Sequence, residues 1–199
     1  MQHITKLCAD NLRTLSDKHG IKLKASHAHD LVAAFFGYQS RAALLADTYH
    51  PLSHLRPPNV IILSPTAPID QRRNNLLGLP PNLPDTYTLG EWVYASLLPE
   101  KWIVSNPWPA YEMLATFLAD EYLRENQMEK SYRSPVGQGL KVERVDDCLF
   151  LTVLRFYQKI LLDGSVHEEN FTTTIRLKRI AGHIGYAKPE ISAQIELLK

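Results

Sequence analysis

The sequence predicts an α+β protein, with helices gathered early in the chain and an antiparallel sheet at its end. Three observations carry that expectation. Apolar residues recur at spacings of three and four through the first fifty positions, as on amphipathic helices. Prolines crowd residues 51–109 and interrupt periodic structure there. From about residue 140 the pattern becomes rich in β-branched and aromatic residues, with the two-residue period of a strand.

Ile4, Leu7, Cys8, Leu12 and Leu15 predict a helix over 4–18, and Gly20 stands where a C-cap belongs. A second helix is expected from Ser26, as N-cap, to Phe36, with Ala28, Leu31, Val32 and Phe35 as its stripe and Gly37 at its end. Ser40 caps a short third helix containing Ala43, Leu44 and Leu45. Residues 1–50 therefore read as a three-helix unit.

Residues 51–88 read as a Pro-rich connection holding one short strand, Val60 to Leu63. Residues 89–199 read as an α+β domain. Thr88 and Glu91 have capping-box spacing ahead of a helix over 89–97. Pro109 suits a first helical position, and Leu114, Phe117, Leu118 and Tyr122 mark a helix over 110–125. Both helices are expected to pack on a sheet of about four strands. Its strands lie over 140–145 and 148–162, in the return run carrying Phe171, Thr173, Ile175 and Leu177, and in the run carrying Ile191, Ala193, Ile195 and Leu197. Asp163-Gly164 is the hairpin-turn signal between the second and third.

A hydrophobic share of 45% with 22% charged residues is ordinary globular usage, enough to build a core. The net charge is +1, and no segment has a strong basic excess. Residues 1–50 carry six Lys/Arg against four Asp/Glu, 51–130 six against nine, and 131–199 ten against eight. Affinity driven by counterion release from a polyanion needs more than this. Cys8 and Cys148 lie far apart in apolar stretches and read as buried thiols of a reducing compartment. The N-terminal residues lack a signal-peptide apolar run, and no stretch reaches the roughly 18 apolar residues that span a bilayer. A cytoplasmic protein without a membrane partner is expected.

Four groups of residues could carry chemistry. His27, His29 and Asp30 are spaced like metal ligands on a loop, but they open a predicted helix. Residues two apart on a helix point about 200° from each other. Ser26 as cap and Asp30 at the positive helix end is the simpler reading. Gly182-His183-Ile184-Gly185 could let a ligand approach the backbone, or form a tight turn between strands. Arg155, Tyr157, Lys159, Arg176, Lys178 and Arg179 could form a cationic, aromatic stripe on an open sheet face, or simply its solvated side. Trp92, Trp102 and Trp108 gather with Tyr87, Tyr94 and Tyr111 near prolines, as an interaction surface or as core. No nucleophile elbow, Walker loop or zincin motif occurs, and no cofactor or metal is indicated. Asp146-Asp147 and Glu168-Glu169 are expected at turns, where solvent explains them.

The segment from Leu23 to Leu45, with its helix, Gly37-Tyr38 pair, Ser40-capped helix and Ala43-Leu44, resembles segments of uncharacterised proteins of bacterial plasmids and integrative elements. It is also similar to a segment attached to some glyoxalase-related proteins. The resemblance implies a bacterial origin and a mobile-element context. It brings no catalytic residue, and no glyoxalase metal-ligand pattern occurs elsewhere in the chain.

The leading expectation is a non-enzymatic accessory or regulatory factor whose partner is another protein. A nucleic-acid-binding regulator, using the N-terminal helices or the basic sheet face, is the alternative. A helix over 41–47 is short for a major-groove reader. An enzyme built on His27, His29 or His183 comes third.

Overall fold

The computed structural model describes residues 2–64, 66–99, 101–103, 106–126, 135, 137–160 and 166–198. The chain is α+β and divides into two compact units. The first holds residues 1–109 and 179–187; the second holds 110–178 and 188–199. The division thus falls after Pro109 rather than at 88/89, and the region expected as a connection is built into the first unit.

In the first unit the early helices are α1 (Gln2–Lys18), α2 (Ala25–Phe35) and α3 (Arg41–Ala46). A 3-10 turn over Leu52–Leu55 and the two-residue β1 (Ile61–Ile62) follow. Then come α4 (Ala67–Asn75) and α5 (Thr86–Leu97). Leu31 to Phe36 are all buried, so α2 is apolar around much of its circumference and sits centrally. It packs against α1, α4, α3 and α5. Burying Leu31, Val32, Phe35 and Phe36 stabilises the unit by roughly 1.5–3 kcal/mol each.

Several starts and stops differ from expectation. Ser40 caps α3, its Oγ accepting from the Ala43 N–H at 3.1 Å. In α2, Lys24 rather than Ser26 occupies the cap position, and no side chain bonds there. Asp30, expected to complement the helix end, pairs with Arg72 of α4 at 2.9 Å and accepts from the Arg41 N–H at 3.3 Å. α5 starts two residues before Thr88 because Asp85 is its cap, accepting from the Thr88 N–H at 2.8 Å. α4 forms in the proline-dense stretch because Pro68 lies in its first turn, where a missing N–H leaves no broken bond.

The second unit has one long helix, α6 (Tyr111–Glu125), capped at Ala110, so that Pro109 precedes the cap. It packs on β2 (Gly137–Val145) and β3 (Cys148–Ile160). α5, expected beside it on the sheet, packs instead on α1. The remaining strands are β4 (Val166–Ala181), β5 (Gly185–Tyr186) and β6 (Glu190–Leu198). Within the second unit the antiparallel order is β2-β3-β4-β6, which meets the expectation of about four strands. Leu149, Leu151 and Val153 of β3 and Phe171, Thr173, Ile175 and Leu177 of β4 are buried, bearing out the predicted alternation. Asp146, at φ +52, and Asp147 make the turn from β2 to β3. Asp163-Gly164 lies outside the described residues.

The end of β4 belongs to the first unit, where it pairs with β5, and β5 pairs with β1. Gly182 to Ile184 form the turn expected there. His183 is held by its N–H donating to Phe36 O at 3.0 Å, and the Gly182 N–H donates to His50 O at 3.0 Å.

Candidate functional site

α5 shows two faces. Leu89, Val93 and Leu97 are buried in the core of the first unit. Tyr87, Gly90, Glu91 and Tyr94, at i, i+3, i+4 and i+7, share a second face and line a cleft of about 210 Å³. Phe35 of α2 and Ile69 of α4, both buried, give it an apolar floor. Asn106, Pro107 and Pro109 form the facing wall. Gly90 keeps the floor open, since a Cβ there would meet only Ile69 Cδ1, at 3.7 Å.

Two hydrogen bonds set the cleft's polar groups. The Tyr94 hydroxyl donates to Asn106 Oδ1 at 3.2 Å, tying helix to facing wall. The Tyr87 hydroxyl bonds the Glu91 carboxylate, which raises its phenol above the ordinary value. Burial raises the Tyr94 phenol as well. Both therefore remain neutral hydroxyls near neutral pH. Among the described lining residues Glu91 is the one with a formal charge, and it is exposed at the mouth. Ser64 and Thr66 also line the cleft, and its described lining holds no histidine, lysine or cysteine.

A second cluster surrounds Asp47 at the end of α3. Its carboxylate accepts from the Tyr38 hydroxyl at 2.8 Å and from the N–H groups of Tyr49 at 3.0 Å and His50 at 3.1 Å. His50 Nδ1 lies 3.3 Å away and an Arg179 nitrogen 3.6 Å away. Burial opposes the charge, but the bonds from Tyr38 and His50 outweigh it and hold the carboxyl below its usual value. Burial and the same bond push the Tyr38 phenol up. Arg179 also reaches the His183 ring, at 2.9 Å from Nε2, and Tyr38 meets that ring edge-on, 4.7 Å between centroids. These groups spend their bonding capacity on one another and latch the β4–β5 turn to α3.

The three candidate histidines occupy three different settings. His183 belongs to this latch. His27 is buried in α2, its Nδ1 lacking a hydrogen-bond partner. His29 lines a surface groove with Asp10 and Arg41, where burial and then Arg41 lower its pKa. Among the described residues no group of three His, Cys, Asp or Glu could hold a metal ion.

The basic stripe is divided between two faces. Arg155 and Tyr157 are buried, at 4% and 7% exposure, on the side covered by α6. Arg155 pairs with Asp120 and donates to Thr116 O at 3.4 Å; Tyr157 packs edge-on against Phe171. Register explains this. Arg155 lies opposite Phe171, whereas Arg176 and Lys178 lie opposite Phe150 and Cys148. The open face therefore carries Lys141, Arg176 and Lys178 against Glu143, Glu168, Glu190 and Glu196. Arg176 is paired with Glu190 at 2.7 Å and Lys141 with Glu143 at 3.0 Å. Arg179 is in the Asp47 latch, and the Lys159 side chain lies outside the described residues.

Nor do the tryptophans form one surface. Trp92 packs on the core and stacks with His19, with 5.1 Å between ring centroids. Trp102 packs there too, with the Arg56 guanidinium 3.7 Å over its ring. Trp108 is half-buried and joins Leu63 in a parallel bridge. Tyr87 and Tyr94 of that group are the ones that line the cleft. Glu91 was legible only as a capping residue; the i, i+3, i+4, i+7 spacing of Tyr87, Gly90, Glu91 and Tyr94 is the signal that marks its face.

No protein-family model, curated protein or solved structure matches the chain.

Proposed function

We propose that this protein is a non-enzymatic accessory or regulatory factor that docks on another protein, and that the α5 cleft is its docking site. The observation that carries this reading is the cleft itself. It is apolar at the floor, aromatic and proline-lined at the sides, and open at the mouth. At about 210 Å³ it is smaller than the roughly 300–1,000 Å³ usual for small-molecule and cofactor sites, and of a size for one anchoring side chain. Tyrosines and prolines around such a pocket suit an extended segment laid across it.

For the nucleic-acid alternative, Tyr157 is buried rather than set on the open face, and that face carries carboxylates among its cations. The histidine-based enzyme alternative lacks a convergent pocket among the described residues. A bacterial cytoplasm and a mobile-element setting, implied by the resemblance over residues 23–45, belong to the same proposal.

Affinity purification from bacterial cytoplasm tests it, with each sample split into nuclease-treated and untreated halves, beside a Gly90→Leu variant that fills the cleft. The expected result is a stoichiometric protein that survives nuclease with the wild type and is lost with Gly90→Leu. A partner held equally by both would remove the cleft from the reading. Nucleic acid released by moderate salt, with no protein partner, would overturn it.

A further inference from the structure

We infer that the side chain received by the α5 cleft is a lysine or arginine of the partner, its stem on the apolar floor and its charged head at Glu91 between two tyrosine rings. This rests on the docking reading above and deepens it. Phe35 and Ile69 supply a floor that suits methylene groups, and Glu91 supplies the one formal charge among the described lining residues. Glu91 has no cationic partner among the described residues, its bond being to the Tyr87 hydroxyl. Lysine and arginine combine the two demands, since their aliphatic stems bury readily while their heads stay near water. Tyr87 and Tyr94 flank Glu91 on the same helix face, and tyrosine rings attract a cation placed over them. A purely apolar anchor would take water from the Glu91 carboxylate and return no bond. An acidic anchor would meet like charge.

The test uses the full chain, labelled with nitrogen-15, and blocked tripeptides Gly-X-Gly in which X is lysine, arginine, norleucine or glutamate. Norleucine keeps the stem of lysine and removes its charge. The expected result is that lysine and arginine peptides shift the amides of Gly90, Tyr94 and Asn106, binding about threefold to tenfold more tightly than norleucine. Glu91→Gln should bring lysine down to the norleucine level, and added salt should do the same in part. Norleucine binding as well as lysine would overturn the cation inference and leave the docking reading standing. So would peptides that leave the cleft unshifted while Gly90→Leu still strips the cellular partner. If the peptides fail and Gly90→Leu keeps the partner, both fall together.

Discussion

The Asp47 carboxylate accepts four hydrogen bonds at 3.3 Å or less, counting His50 Nδ1, with its side chain only 13% exposed. Those bonds favour the charged form in the folded chain, so its pKa lies below that of the unfolded chain. The stability this contributes is complete above the unfolded value, about 3.9, and is lost as pH falls through the folded one. Asp47→Asn should therefore be less stable near neutral pH, and the Asp47 share of the gap to wild type should hold down to about pH 5 and narrow as pH falls below about 3.9 towards the lower folded value. Urea unfolding across that range checks it; parallel profiles would show that the charge plays no part. His50 and Arg179 face the same carboxylate, so Asp47→Asn takes the charge from both contacts as well. Gly37 allows a different test. Its φ of +83 is left-handed, and a Cβ would come within 2.5 Å of His183 Cβ. Backbone strain and collision should together make Gly37→Ala less stable by about 2 kcal/mol or more, read as a lowered urea midpoint with unchanged slope.

At the scale of the element, α5 shows what the sequence made legible and what it hid. Its existence followed from Trp92, Val93 and Leu97, but two residues three apart, Asp85 and Thr88, could each open it. The choice of Asp85 frees Glu91 from capping and lets it serve the cleft. α4 is hidden in the sequence because proline breaks a helix interior yet suits its first turn, and composition does not say which applies. Alternation in β3 already placed Arg155 and Tyr157 with Leu149, Leu151 and Val153. Alternation in β4 likewise sets Arg176 and Lys178 on the face opposite Phe171, Ile175 and Leu177, so the two strand patterns together split the stripe; the register of β4 against β3, a long-range pairing, is what they do not give. Gly90 gives this element an opposed pair of outcomes. Alanine removes the glycine penalty inside a helix and meets only Ile69 Cδ1, so Gly90→Ala should stabilise the chain by about 0.5–1 kcal/mol. The same methyl enters the cleft, so partner binding should weaken. Thermal unfolding and pull-down on one variant check both; a stabilised variant that binds normally would place the docking surface elsewhere.

For the whole molecule, the governing fact is that the first unit is not continuous in sequence. Residues 179–187 return to it after the second unit has been inserted at Pro109. The return brings buried Ala181, Ile184 and Tyr186, the pairing of β5 with β1, and Arg179 for Asp47. His54 Nδ1 meets Ile180 O across 126 residues of chain. Such closure is entropically costly and slow to form, so the first unit should complete its folding only after the hairpin docks. Trp92, Trp102 and Trp108 all lie in this unit, which makes tryptophan fluorescence its reporter. Ile184 is 1% exposed and more than 70 residues beyond the last of them. Ile184→Ala should nonetheless lower the stability read by tryptophan by about 2–4 kcal/mol, through lost burial and the cavity left behind. A chain truncated after Pro109 should lose the cooperative fluorescence transition altogether, because it lacks the strand and the cation that close its core. If that truncated chain unfolds cooperatively at the wild-type midpoint, residues 1–109 are self-sufficient and the 179–187 hairpin is an accessory to the unit. If it does not, the α5 cleft depends on a segment more than 80 residues further along the chain, and binding must be tested with the full chain rather than the helices that line it.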